Sequence, residues 1–328
     1  MFISMFNAVE SGVIFAIMAL GVYLSFRILD FPDLTVDGSF VTGAAVSALM
    51  IVNGMPTGVA ILGALLAGLV AGSITGLLNT KGKVNPLLSG ILMMTALYSI
   101  NLRIMGQSNI PLLNQETFFT QLRNIFESLG IDQFFDQGLA ALGVENLPST
   151  YSALVIMLVV TFLIKFVTDY FLKTEVGLAL RAIGDNEQMI RSFSANTNHL
   201  KVLGLGVSNG LVALAGGLYA QFTGFSDLNM GIGMIVIGLA SVIIGESVVG
   251  TKTIGRTTLA VVVGAVIYRI VITLAIRSDF LDNGDTKLIT ALLVVLALVV
   301  PKVIETTKES NRKRKKRQAL NQQVRRGA

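Results

Sequence analysis

The chain contains no cysteine, which excludes a disulfide framework, a thiolate metal site and a cysteine nucleophile together. Its one histidine, His199, has no carboxylate partner at ligand spacing, so it gives no metal site and no HExxH pair. Without clustered carboxylates either, the sequence offers little to a membrane-embedded enzyme. Charge is also scarce: 14% of residues are Asp, Glu, Lys or Arg, against roughly 25% in soluble domains. No GxxxxGK followed by Ser or Thr occurs, so the chain lacks a phosphate loop.

What is present is apolar. Of 328 residues 53% are hydrophobic, and the mean hydropathy is +0.72. Apolar runs near the roughly 20 residues that a membrane-crossing helix needs lie at 8–27, 38–54, 57–78, 86–106, 151–172, 199–222, 231–249, 257–276 and 287–304. This predicts an all-α integral membrane protein with about nine transmembrane helices, within a range of about eight to ten. The runs are continuous and lack the alternation of a barrel wall. The 33 glycines recur inside them, as at Gly204, Gly206, Gly210, Gly216 and Gly217, where small residues let helices approach closely. The first run has neither a basic start nor a small-residue cleavage motif, and reads as a retained helix.

The net charge of +5 resides largely in the tail, in Asn311–Arg317 (NRKRKKR), Arg325 and Arg326. Positive charge beside membrane helices stays cytoplasmic, so the expected layout is a transmembrane domain over 1–305 and a basic cytoplasmic tail over 306–328. Because the basic run abuts the last helix, anionic lipid is its expected partner and nucleic acid is not. Alternation then puts Lys81, Lys83, the segment 173–198, Lys252 and Arg256 inside, and both the N-terminus and 107–149 outside. That outer segment sets Glu116, Glu127, Asp132, Asp136 and Glu145 against Arg123 alone. Within it FFTQLRNIFESLG carries an apolar stripe of Phe118, Phe119, Leu122, Ile125, Phe126 and Leu129 at helical spacing. The stripe either covers helix ends or helps dock a delivery protein.

A short internal echo joins Phe31-Pro32-Asp33-Leu34 to Phe225-Ser226-Asp227-Leu228. The topology puts the two on opposite faces, the pattern of an inverted repeat in which runs one to four answer six to nine.

The one long polar interruption is Lys173–Asn198. Here Asp185 is expected to cap a helix starting at Asn186, with Gln188 completing a capping-box-like arrangement. Met189, Ile190 and Phe193 then share one face, and Glu187 can pair with Arg191 four residues on. Gly184 is expected to permit a sharp turn into this helix, and Gly177 to relieve crowding before it.

The run T-E-x-G-L-A-L-R-A-I-G-D-N, then Ser194–Lys201 and Ser208–Gly217 (SNGLVALAGG), resembles the inner-membrane permeases of bacterial ABC importers for branched-chain amino acids and ribose. Leu34–Gly43 is similar to that family's broken second helix. LTVDGSF, NPLLSGILMM and IGLASVIIGE resemble its single-permease systems associated with tryptophan or tyrosine. The resemblance implies a homodimer in the bacterial inner membrane, two copies of a separate cytoplasmic ATPase that holds ATP and Mg, and an extracytoplasmic binding protein. It implies no cofactor on this chain. It also makes residues 184–194 a coupling helix, with Met189, Ile190 and Phe193 as the buried anchor. Arg181, Asp185, Glu187 and Arg191 form its orienting rim, beside Gly184 and Asn186.

Ionisable and polar residues inside apolar runs are default functional candidates. Arg269, beside Tyr268, either contacts a substrate carboxylate or pairs with a neighbouring helix. Arg103, with Tyr98 and Asn101 before it, either lines a path or snorkels to the interface. Asp33 and Asp37 flank a proline-interrupted helix entry and either cap it or face the path; Asn209 completes the path candidates. Glu10, Glu246 and His199 read as boundary residues. The reading that competes with an ATP-driven importer is a stand-alone carrier driven by an ion gradient, motivated by the echo and by the Asp33–Asp37 pair.

Overall fold

A computed structural model of the chain describes residues 2–133, 147, 148, 150–192 and 196–276, together with positions 288, 291, 292 and 295. Phe193, Asp136, Glu145, nearly all of the run 287–304 and the tail 306–328 lie outside the described residues, and the expectations placed on them with it.

Among the described residues the chain forms α1 (Phe2–Val22), α2 (Thr35–Val52), α3 (Thr57–Thr80), α4 (Pro86–Met105) and α5 (Phe118–Ser128). It continues with α6 (Ser152–Lys173), α7 (Glu175–Ser192), α8 (Thr197–Thr223), α9 (Met234–Val249) and α10 (Ile254–Ile276). Seven of these, α1, α2, α3, α4, α6, α8 and α10, are long and apolar enough to cross a membrane. The run 231–249 yields the shorter α9, of 16 residues, because its first residues form turns. The apolar stripe at 118–129 becomes α5, opened by a capping box in which Thr117 and Thr120 serve each other's backbone N–H.

The all-α expectation has one small exception. Gly106 and Gly224 end α4 and α8 in left-handed conformations, with φ of 68° and 79°, which releases both chains at the same end of the bundle. The chains then pair as an antiparallel ladder of β1 (Asn109–Pro111) and β2 (Phe225–Asp227), with Ile110 opposite Ser226.

α1 forms the centre of the bundle. In its most apolar stretch 89% of residues are buried, against 28% in α4 and in α6. Its last turns widen into a π-helix over Tyr23–Ile28, and the following residues still bond back to it, Leu29 N–H to the Leu24 carbonyl and Phe31 N–H to that of Ser25. Phe15 of α1, Phe40 of α2 and Tyr219 of α8 stack where these three helices meet. α2 and α8 touch backbone to backbone: a Cβ on Gly43 would overlap the Ala213 carbonyl, and one on Gly216 the Phe40 carbonyl. Lipid supplies no hydrophobic drive between helices, so such close packing is what holds them.

The two members of the sequence echo share a local device. The Asp33 carboxylate accepts from the Thr35 N–H at 2.9 Å, and that of Asp227 from the Asn229 N–H at 2.7 Å. Each closes a two-residue turn, that of Asp33 just before α2 and that of Asp227 at the end of β2.

Candidate functional site

α7 follows α6 with a break at Thr174, and Gly177 allows it to fold back, since a Cβ there would strike the Phe171 carbonyl and Leu172. Leu180 and Ile183 are buried beneath it. Gly184 does not turn the chain. Its backbone stays helical and presses on the end of the α1 π-turn, where a Cβ would overlap the Ile28 carbonyl oxygen. The need for glycine is therefore contact, not turning.

The cap also differs from the expectation. Asn186, not Asp185, leaves the helical conformation, at φ −160° and ψ 93°, and its side-chain oxygen accepts from the Met189 N–H at 3.1 Å. The short helix thus begins one residue later. Glu187 pairs with Arg191 at 2.8 Å as its spacing required, and also with Lys201 of α8 at 2.8 Å. Burial pushes the Glu187 carboxyl up, but the Lys201 hydrogen bond and charge, then those of Arg191, outweigh it and hold the group below its usual value. Arg191 also donates to the Thr197 hydroxyl. Met189 is 47% exposed, and Ile190 beside it is half-buried. Arg181 and Asp185 line a polar pocket of about 250 Å³ with Arg27, Glu246 and Lys252, in which Arg27 grips Glu246 through two hydrogen bonds. Sequence reasoning did not select Arg27, Ile28 and Lys201 for this site, because their partners come from other helices.

The path candidates fall into three groups. Asp33 and Asn209 are fully buried and bind each other: the Asn209 amide donates to Asp33 at 2.6 Å and its oxygen accepts from Ser39 at 2.7 Å. Beside them the Thr35 and Thr75 hydroxyls meet at 2.9 Å. This network ties the entry of α2 to α3 and α8. Ser208 stands in a G-x-S-x-G string, but inside α8 and donating to the Gly21 carbonyl, so it is not a nucleophile on a strand-to-helix turn.

Asp37 holds another helix. Its two oxygens accept from the N–H groups of Gly233 and Ile235 at 3.0 and 2.8 Å, which caps α9 from α2. Asp37 also lines a cavity of about 440 Å³ together with Tyr98 and Asn101, walled by Val41, Met94 and Ile232. Asn101 is 1% exposed. Its amide N–H donates to the Gly38 carbonyl at 3.2 Å, while its side-chain oxygen has no hydrogen-bond partner among the described residues. Arg103 is exposed near the end of α4 and does not line this cavity.

Arg269 and Tyr268 lie elsewhere. The Arg269 guanidinium donates to Ser11 at 3.0 Å and sits 4.8 Å from the Phe15 ring centre, which joins α10 to α1. Of the residues read as boundary positions, His199 is exposed and Glu246 is the partner of Arg27. Glu10 is not at a boundary: α1 begins at Phe2, and the Glu10 side chain is buried one turn and more inside it. A further buried ion pair, Lys165 with Asp169 in α6, receives the Thr258 hydroxyl from α10. Among the described residues no three His, Cys, Asp or Glu side chains gather as a metal site.

The family model described as the permease component of branched-chain amino acid transport systems matches residues 4–300. The chain is 42% identical over 307 residues to the tyrosine transport system permease protein of Clostridioides difficile (strain R20291), covering 94% of each. It is 32% identical over 296 residues to an uncharacterized protein of Rickettsia prowazekii, with 89% of this chain and 95% of the relative covered. To the ribose import permease protein RbsC of Escherichia coli (strain K12) it is 25% identical over 309 residues, with 90% and 85% covered. No solved structure matches the chain significantly. With its seven long apolar helices, the chain belongs to the permease components of branched-chain amino acid transport systems, as a multi-pass integral membrane protein.

Proposed function

We propose that the chain is the membrane permease of an ATP-binding-cassette importer that carries an amino acid, tyrosine being the first to test, by alternating access. It acts as a homodimer with two cytoplasmic ATPase subunits that bind ATP and Mg, and receives solute from an extracytoplasmic binding protein. The coupling segment faces the cytoplasm and the N-terminus the outside, in an arrangement of two inverted repeats. One observation carries the reading: the exposed Met189, with the half-buried Ile190 beside it, belongs to a segment seated without side-chain cushioning on the end of the central helix, at Gly184 and Ile28. A rigid joint of this kind suits the transmission of a partner's closure. The cavity at Tyr98 and Asn101 suits a small solute with an apolar body and a polar group, held by neutral hydrogen bonds that release it readily.

An ion-gradient carrier would need an open acidic site, and the pair that suggested one is occupied. Asp33 serves Thr35 and Asn209, and Asp37 serves Gly233 and Ile235.

The experiment is mild-detergent purification of the tagged chain from its host, intact-complex mass spectrometry, and tyrosine uptake by the reconstituted complex. Two copies of the chain with two ATPase subunits and ATP-dependent uptake support the reading. A chain that purifies alone after crosslinking through the coupling segment and transports without ATP overturns it.

A further inference from the structure

At the end of the bundle that carries β1, β2 and α5 lies a second cavity, of about 390 Å³, which shares no lining residue with the cavity at Tyr98 and Asn101. α1 contributes Phe6 and Glu10 to it, α5 Phe119 and Arg123, α6 Ser152 and α8 Phe222. The Glu10 side chain is 7% exposed. The backbone of Leu154, in the first turn of α6, faces its carboxyl, and among the described residues it enters no ion pair. A buried carboxylate in an apolar helix is expensive to keep without a cation, and this one lines the cavity wall.

The rest of the wall says what kind of cation fits. Phe119 and Phe222 meet edge to face at 5.4 Å, and Phe6 meets Tyr151 the same way at 5.6 Å. Aromatic faces and edges receive another ring well, and the faces attract an ammonium group at the same time. A bare metal ion would want several oxygens at once, whereas a primary ammonium is satisfied by one carboxylate and nearby hydroxyls such as that of Ser152. Arg123 is half exposed and paired with Glu127 at 3.0 Å, which leaves its remaining N–H groups for a carboxylate.

We propose that this cavity binds a small aromatic amine, with its primary ammonium on the Glu10 carboxylate and its ring among Phe6, Phe119 and Phe222. The amine is either a free amine or an amino acid, and only the latter engages Arg123.

The full chain in lipid nanodiscs is titrated with radiolabelled tyramine and with L-tyrosine, and 3-(4-hydroxyphenyl)propionate, which lacks the nitrogen, is the competitor. Saturable tyramine binding that the propionate does not displace is expected, falling at least tenfold in Glu10→Gln. Arg123→Gln then weakens tyrosine but not tyramine if the natural ligand is an amino acid, and weakens neither if it is a free amine. Absence of saturable tyramine binding, equal displacement by the propionate, or undiminished binding in Glu10→Gln overturns the proposal. Should Glu10→Gln fail to fold, carbodiimide labelling of Glu10 in the unaltered chain, followed by peptide mass spectrometry, decides. Tyramine must slow the labelling, and an unchanged rate overturns the site. None of these measurements reads transport or ATP hydrolysis, so the site can fail while the importer reading stands, and the reverse.

Discussion

Gly184→Ala tests the coupling joint where it is tightest. The new Cβ would overlap the Ile28 carbonyl oxygen and stand 3.0 Å from its carbonyl carbon and 3.2 Å from that of Leu29. These are backbone atoms and cannot swing aside. α7 and the end of α1 must therefore part by about 1 Å to restore normal contact distances. Overpacking of this kind costs about 1–3 kcal/mol, equivalent to roughly a 5- to 150-fold shift between joined and parted arrangements. The assay is ATP-driven tyrosine uptake and ATP hydrolysis by the reconstituted transporter, each normalised to inserted protein. Uptake is expected to fall at least fivefold while hydrolysis continues, because in the proposed transporter the ATPase would still cycle while its motion no longer reached Ile28 and the α2 entry. Gly58→Ala, at the start of α3 with no atom within 4 Å of the new Cβ, should change neither. Uptake by Gly184→Ala within twofold of the unaltered chain would refute the idea that this contact transmits force.

Asn209→Ala removes a donor from the buried Asp33 and an acceptor from Ser39; it should destabilise the chain by about 1–3 kcal/mol or more, read as a lower melting temperature in detergent. An unchanged melting temperature would show that the network is not structural. Asp169→Ala strands the buried Lys165 charge and should cost about 3–5 kcal/mol, whereas the double variant Lys165→Met with Asp169→Leu recovers most of the loss; equal losses in both would count against an ion pair held by mutual need. For Glu187, a carboxyl depressed in the folded state contributes stability present above its ordinary value of 4.5 and lost as pH falls through the folded one. A spin label at Ser192→Cys should thus keep its mobility from pH 8 to pH 5 and loosen only below 4.5, and loosening between pH 7 and 5 would refute the assigned balance of charges.

The helices were legible because bilayer thickness imposes a run length that composition alone reveals. Pairings inside one helix were legible too: Glu187 and Arg191 stand four apart and do meet. Contacts between distant segments were not. Asp33 and Asn209 are 176 residues apart, and nothing in either neighbourhood announces the other. Asp37 carried a readable signal, an acid at a helix entry, but the helix that it caps is α9 and not its own. The cap of the coupling helix was missed by one position because Asp185 and Asn186 are both good cap residues. The choice turns on which one leaves the helical conformation, and sequence alone does not decide that. Glu10 was misjudged because it opens an apolar run by composition, while the helix itself starts eight residues earlier, at Phe2.

The same geometry makes the end of α1 a natural place for the proposed coupling segment to act. The residues from Ile28 to Gly38 hold, in order, the contact with Gly184, the Asp33 bond to α8, the Asp37 cap of α9 and the carbonyl that Asn101 grips beside the cavity. A displacement at Ile28 therefore reaches the cavity wall within ten residues, through hydrogen bonds and backbone contacts that have little slack. Side-chain packing would absorb part of such a movement by changing rotamers; a glycine against a carbonyl has no rotamer to change. The π-helix that ends at Ile28 would supply the compliance, an irregularity of the kind found at functional sites. Rigidity on one side of Ile28 and give on the other favour movement of the α2 entry relative to α1, and that is the direction in which Asp37, Gly38 and the cavity lie.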